Sequence, residues 1–253
     1  MILERILKKK FEEAAELVKP GGRMSSALKR DGLSVIGEIK RASPSRGVIN
    51  GAVDPPEQLS FYERGGADAV SVLTDASFFG GSANDLRSLR TLTKLPLLRK
   101  DFIVSELQVY ESLFLGADAI LLIVAALGKT RVEELLALTH SLGMEAIVEV
   151  HTEGELLDVL DTDATIVGIN NRNLDDFTVD LRTTERLMAV LERREGRESR
   201  IVVSESGVRN DRDAAFLAGT GADAILVGEA LMRAGDPRSE ERRVGKECRS
   251  RWS

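Results

Sequence analysis

The sequence predicts an α/β fold, a single (β/α)8 barrel in which eight parallel strands each hand over to a helix. Three observations carry this. The chain has 253 residues, and one such barrel uses about 250. A Gly-Ala-Asp-Ala tetrapeptide recurs along it. Short runs that are apolar at every position alternate with segments of helical spacing, as expected of strands covered on both faces by helices.

The repeat orders the elements. Gly66-Ala67-Asp68-Ala69 precedes Val70–Leu73, Gly116-Ala117-Asp118-Ala119 precedes Ile120–Ile123, and Gly221-Ala222-Asp223-Ala224 precedes Ile225–Val227. The first two copies are 116 − 66 = 50 residues apart and the next gap is 221 − 116 = 105, with a degenerate copy, Asp161-Thr162-Asp163-Ala164, midway. Each repeat therefore spans two strand–helix units, and four repeats make eight. The glycine suits the left-handed end of a helix, and a polar turn leads into the next strand. The runs Leu33–Ile39, Leu95–Leu98, Ala146–Val150 and Ile201–Val203 fill the odd positions, and Arg131–Ser141 and Thr183–Leu191 have helical spacing. The unbroken alternation favours closure over a doubly wound sheet.

Two ends lie outside that count. Residues 2–18 read as an amphipathic N-terminal helix, ended by Pro20-Gly21-Gly22 and suited to cap the barrel bottom or to flank the site mouth. The barrel domain is expected over 1–237. Residues 238–253 are dominated by charge and hold the single Cys and the single Trp, so they are expected to be a disordered or non-native tail, with the eighth helix incomplete. Such a gap would lower stability or require contacts with another copy.

Composition narrows the function. The chain is 43% hydrophobic and 30% charged with a net charge of −6, which disfavours nucleic-acid and anionic-membrane binding. The longest apolar run is far too short to span a bilayer, and the start does not read as a signal peptide. One Cys and two His argue against a disulfide framework or a metal centre. A soluble, cytoplasmic, metal-independent protein is expected; a small-molecule substrate and a monomer or weak homodimer are the expected partners.

Chemistry in this architecture gathers at the C-terminal strand ends. The first strand ends in Glu38-Ile39-Lys40-Arg41-Ala42-Ser43, with Glu38 and Lys40 on one face, either a structural ion pair or working groups. The third ends in Arg99-Lys100-Asp101-Phe102. A buried Lys100 would have its pKa lowered by desolvation and nearby cations, and a snorkelling surface lysine is the alternative. Glu149, at the end of the fifth strand, is the strongest acid–base candidate. Asn170, Asn171 and Arg172 after the sixth offer donors for a carboxylate or hydroxyl, or simply form a turn. Ser206-Gly207 and Gly228-Glu229 lie on the seventh and eighth loops, where a phosphate cradle is usual.

Together these strand ends resemble indole-3-glycerol phosphate synthase. The resemblance rests on Glu38-Ile39-Lys40-Arg41-Ala42-Ser43-Pro44-Ser45, Phe79-Gly80-Gly81-Ser82, Arg99-Lys100-Asp101-Phe102, Val148-Glu149-Val150, Gly168–Leu174 and Ser204-Glu205-Ser206-Gly207, in order over about residues 2–237. It implies a TIM barrel that closes the indole ring of 1-(2-carboxyphenylamino)-1-deoxyribulose 5-phosphate with loss of CO2 and water, without a cofactor. It implies Lys100 as general acid, Glu149 as the proton-handling group of the dehydration and Glu38 as the group that orients them. Lys40 and Ser43 would bind substrate, Phe79, Phe102 and Leu121 would line the aromatic pocket with Leu174 nearby, and Asn170 and Arg172 would hold polar groups. Ser206, Gly207, Gly228 and Glu229 would cradle phosphate. The short stretch 19–32 suggests that the extra helix covering the site in relatives is curtailed. A phosphate-sugar isomerase, a Schiff-base aldolase using Lys100 or Lys40, and a non-catalytic barrel are the alternatives.

Overall fold

The computed structural model describes residues 22–44, 47–194 and 197–233. Helix α1 (Arg23–Leu28) leads into strand β1 (Ser34–Ile39), a two-residue ribbon of β2 (Ala42–Ser43) and β3 (Gly47–Val48), and helix α2 (Pro55–Gly65). Then follow β4 (Ala69–Leu73), α3 (Ala76–Phe79), α4 (Ala83–Arg90), β5 (Leu97–Lys100), α5 (Glu106–Leu115), β6 (Ala119–Ile123) and α6 (Val124–Ser141). The chain continues through β7 (Glu145–Val150), α7 (Glu153–Leu160), β8 (Ile166–Asn170), α8 (Arg182–Leu191), β9 (Ile201–Glu205), α9 (Asp211–Gly219), β10 (Ala224–Val227) and α10 (Glu229–Arg233). Strand β1 pairs with β4, each later strand with the next, and β10 with β1, all parallel, so the barrel is closed.

Strand parity divides the core in two. Leu33, Val35, Val70, Val72, Val148, Val167 and Val202 face outward onto the helices in one apolar layer. Ile36, Ala69, Leu98, Ala119, Leu121, Ile147, Ile166, Val203 and Leu226 fill the barrel interior. Met24 and Leu28 of α1 join this second cluster and are completely buried. Within the stretch 19–32, where a curtailed extra helix was expected, a six-residue helix plugs the barrel bottom, on the side opposite the cavity. The helix expected over 2–18 and the tail 238–253 lie outside the described residues, as does any continuation of α10.

The repeated aspartates serve as seams. Asp68 accepts the Val35 amide at 3.0 Å and the Arg30 guanidinium at 2.8 Å. Asp118 accepts the Leu97 amide at 2.8 Å and Arg90 at 2.7 Å, and it also pairs with Arg23. Asp223 accepts the Val202 amide at 2.7 Å and Arg197 at 3.1 Å. Each ties the start of its own strand to the strand before it. The preceding glycines, Gly66, Gly116 and Gly221, have φ of 91°, 84° and 84°, the left-handed conformation that ends a helix. At the degenerate fourth copy Asp163 is exposed, and Arg200 instead donates to the Leu160 and Thr162 carbonyls.

Candidate active site

The upper strand ends surround a cavity of about 1440 Å³. Its wall includes Glu38, Lys40, Ser43, Phe79, Lys100, Phe102, Leu121, Glu149, Asn170, Arg172, Leu174, Ser206, Gly207, Gly228 and Glu229, so of the residues singled out in the sequence all but Asn171 reach one space. The interior parity brings them together. Glu38, Lys100, Glu149, Asn170 and Glu205 stand on the inward side of β1, β5, β7, β8 and β9.

At the centre, Lys100 Nζ lies 3.3 Å from Glu149 Oε2 and 3.3 Å from Glu205 Oε2. Burial by itself would push this ammonium down. The carboxylates of Glu205, Glu149 and Glu38 outweigh it and hold the lysine above its ordinary value. The expectation of a lowered pKa is thus corrected: the neighbours of Lys100 are anions, not cations. Glu149 is driven up by burial, but Lys100, His151 and Asn170 reverse that and hold it well below the usual carboxylate range. Asn170 Nδ2 donates to Glu149 Oε1 at 3.1 Å. Glu205 has the opposite fate. Burial outweighs the pull of Lys100, Glu149 and Glu38 add to it, and its carboxyl is pushed up to about 8.

Sequence reading passed over Glu205 as a site residue although it quoted the run containing it. Parity could have found it, because Glu205 is two residues beyond the inward Val203. What parity cannot supply is the space. A side chain at Gly168 would put Cβ 2.3 Å from Glu205 Oε1, so the neighbouring strand carries a glycine where this carboxylate crosses the barrel. His151 also went unassigned. Its Nε2 is 3.3 Å from Glu149 Oε1 and its Nδ1 is 3.4 Å from Glu155 Oε2.

One wall is aromatic. The Phe79 and Phe102 rings are 6.3 Å apart and tilted by 39°. Leu121 lies below them, and Leu174 and Phe177, which were not both anticipated, flank the mouth. Phe102 is 48% exposed, unusual for a phenylalanine beside a buried strand end and consistent with a waiting contact surface. On the opposite side, Lys40 Nζ pairs with Glu38 Oε1 at 2.6 Å. It also sits over Gly228, where an added Cβ would come within 3.1 Å of the ammonium and 2.5 Å of Glu38 Oε1. Ser206 and Gly207 both take left-handed φ, 65° and 99°, at the head of the neighbouring loop. A lysine beside two turns of backbone that border the cavity is a suitable anion cradle.

The Asn170–Asn171 pair resolves into two roles. Asn170 lines the cavity, and its Oδ1 accepts the Arg172 amide at 3.0 Å. Asn171 turns away, donating to Ser204 Oγ at 2.9 Å and the Ser206 carbonyl at 3.0 Å and accepting from Thr184 Oγ1 at 2.8 Å. It fastens the Ser206-Gly207 loop from behind.

Comparison with known proteins bears on the family and the fold. The family model described as "Indole-3-glycerol phosphate synthase" matches residues 3–244. The chain is 47% identical over 237 residues to "Indole-3-glycerol phosphate synthase" of Petrotoga mobilis, covering 94% of each. It is 49% identical over 228 residues to "Indole-3-glycerol phosphate synthase 2" of Streptomyces coelicolor, covering 90% of this chain and 86% of the relative. Among solved structures, KGPDC from Streptococcus mutans superposes with a TM-score of 0.66 at 12% identity, covering 88% of this chain and 100% of that one. Thiamine phosphate pyrophosphorylase from Pyrococcus furiosus gives 0.61 at 19%, covering 86% and 96%. These two matches speak to the barrel alone. With the family model matched over residues 3–244 and relatives 47% and 49% identical over nine-tenths of its length or more, the chain belongs to the indole-3-glycerol phosphate synthase family.

Proposed function

We propose that this cavity performs the family's reaction, with the roles set by the Lys100 cluster. The chain is a carboxy-lyase of tryptophan biosynthesis, acting on 1-(2-carboxyphenylamino)-1-deoxyribulose 5-phosphate. The observation that carries the role assignment is the Lys100 ammonium held between Glu149 and Glu205 at the cavity floor. It lies between an aromatic wall and an anion cradle, the two ends this substrate needs.

Lys100 protonates the ketone oxygen as the aromatic carbon attacks, and its carboxylate neighbours keep the proton available until the oxygen acquires charge. Glu149 handles the dehydration proton. Glu38 orients the cluster and holds Lys40, which binds the phosphate beside Ser206, Gly207, Gly228 and Glu229. Phe79, Phe102, Leu121 and Leu174 clasp the ring, while Ser43, Asn170 and Arg172 hold its polar groups. Glu205 shares the Lys100 ammonium and keeps it aimed inward.

The Schiff-base alternative is disfavoured by the same geometry. An ammonium held charged by several carboxylates is a poor nucleophile, so borohydride trapping should yield no adduct at Lys100. No helix among the described residues is long and apolar enough to cross a membrane. We also infer a cytoplasmic enzyme working without nucleic acid or membrane as a monomer or weak homodimer, on the acidic net charge of −6.

The deciding experiment mixes the protein with the carboxyphenylamino sugar phosphate and follows indole fluorescence. Product from the wild type and its loss in Lys100→Ala are expected. An inactive folded wild type, or a fully active Lys100→Ala, overturns the assignment.

A further inference from the structure

The reaction has a proton balance that its three-carboxylate floor must meet. One proton goes to the ketone oxygen as the carbon–carbon bond forms. The carboxylate then leaves as CO2, its bonding electron pair restoring the aromatic ring. A second proton goes to the new hydroxyl, which departs as water. One proton comes back from the adjacent C–H carbon as the indole double bond forms. Two are taken and one is returned, so each turnover consumes one proton. Glu149 is 2% exposed, and bound substrate would stand between it and solvent.

His151 lies behind Glu149, off the cavity wall, with both ring nitrogens closed to solvent. Its Nε2 faces Glu149 Oε1 at 3.3 Å, and its Nδ1 faces Glu155 Oε2 at 3.4 Å. Glu155 is itself fixed at the start of α7, where its carboxylate accepts the His151 backbone amide at 2.6 Å. Neither contact has the angle of a hydrogen bond, so the ring is held between the two carboxylates by charge. Burial opposes that charge, but Glu149 and Glu155 together raise the ring to about 9.

We propose that His151 is a proton reserve for the sealed site, acting on substrate only through Glu149. The imidazolium passes its Nε2 proton to Glu149 Oε1, and Glu149 delivers it to the departing hydroxyl. The amine left on Lys100 takes the C–H proton and is restored. His151 ends the cycle neutral, with its remaining proton held at Nδ1 by Glu155. When product leaves, the cavity opens to water, Glu149 takes a proton from solvent and hands it back to Nε2. The charged groups against the ring are Glu149 from β7 and Glu155 from α7, while Lys100 and Glu205 act on it through Glu149. This inference rests on Glu149 being the proton-handling group of the proposed reaction.

The test is a single turnover in weak buffer, with indole fluorescence and a pH-indicator dye read together. In the wild type, indole formation should precede proton uptake. In His151→Asn, indole formation should slow by about tenfold or more, and uptake should coincide with it. In Glu155→Gln, which keeps an acceptor for the backbone amide, the alkaline fall of kcat should move to lower pH. A residue that only supports the fold would slow the reaction without changing the order of events or the pH limb. If His151→Asn does not fold, Glu155→Gln and the wild-type order still decide. Uptake that coincides with indole formation in the wild type, or an unchanged order in His151→Asn, overturns the reserve alone. A wild type that makes no indole overturns the reading of the site as well.

Discussion

The two ends of the barrel are built from the same strands and solve opposite problems. At the bottom, every seam aspartate described above is satisfied by a backbone amide and an arginine, and Met24 and Leu28 close the interior with apolar volume. Glu145, on the same inward face of β7 as Glu149, accepts the α1 amides of Met24 at 2.7 Å and Ser25 at 3.2 Å. At the top, Glu38, Glu149 and Glu205 converge on Lys100, and Glu205 Oε1 has no hydrogen-bond partner. A buried carboxylate is tolerable when paired and costly when crowded. The bottom is arranged for stability, and the top holds electrostatic strain where, in the mechanism we propose, charge must move.

Substitutions at the two ends should therefore separate stability from activity. The largest effect belongs to Lys100→Ala. A loss of about 10³-fold in kcat, ~4 kcal/mol of barrier, is expected by fluorescence assay. Its melting temperature should fall at pH 8 and recover near pH 5, where the stranded carboxylates take up protons. Loss of activity without that pH-dependent recovery would contradict the electrostatic reading.

The bottom should show the converse. Met24→Ala should destabilise by about 2–4 kcal/mol through an unfilled cavity, and Asp118→Ala by a similar amount through unpaired amide and guanidinium groups. Urea unfolding would measure the loss, and kcat at a temperature where the variants remain folded should match the wild type. A large fall in kcat would mean that the two ends are coupled.

Glu205→Gln gives a smaller effect of known sign. The folded protein raises this carboxyl from an ordinary 4.5 to about 8. Its protonated form is thus favoured by folding, and that advantage, complete below 4.5, is lost as pH rises through about 8. Glutamine mimics the protonated acid, so the variant should be more stable than wild type by about 1–2 kcal/mol at pH 9 and nearly equal at pH 5, at some cost in activity. Equal stability at both pH values would show that Glu205 is not strained. Least of all should change on truncation after residue 237, if the barrel domain ends there as we propose. A shift within about 0.5 kcal/mol is expected, and a collapse of stability would show that the eighth helix extends into the removed segment.

Much of this was legible in the chain because a barrel repeats a local rule. Runs such as Ala146–Val150 announce strands by being apolar throughout, and Gly66, Gly116 and Gly221 mark helix ends by a backbone need that few other residues meet. Glu38, Lys100 and Glu149 could be named because each interrupts an apolar run at its end. Parity puts Glu205 on the inward face, but its approach to Lys100 depends on the space left at Gly168, which the sequence does not display.

The alternation of strands and helices and the family were legible in the sequence alone, since they depend on periodicity and on residue types at strand ends. Tertiary structure decided the electrostatics. The pKa of Lys100 depends on which charges stand within a few ångströms, and three of them arrive from strands distant in sequence. The same holds for the bottom plug, where Met24 enters the interior only once the barrel has closed around it. Through-space energies fall with distance in space and not along the chain, so the lysine expected to have a lowered pKa has it raised by its carboxylate neighbours.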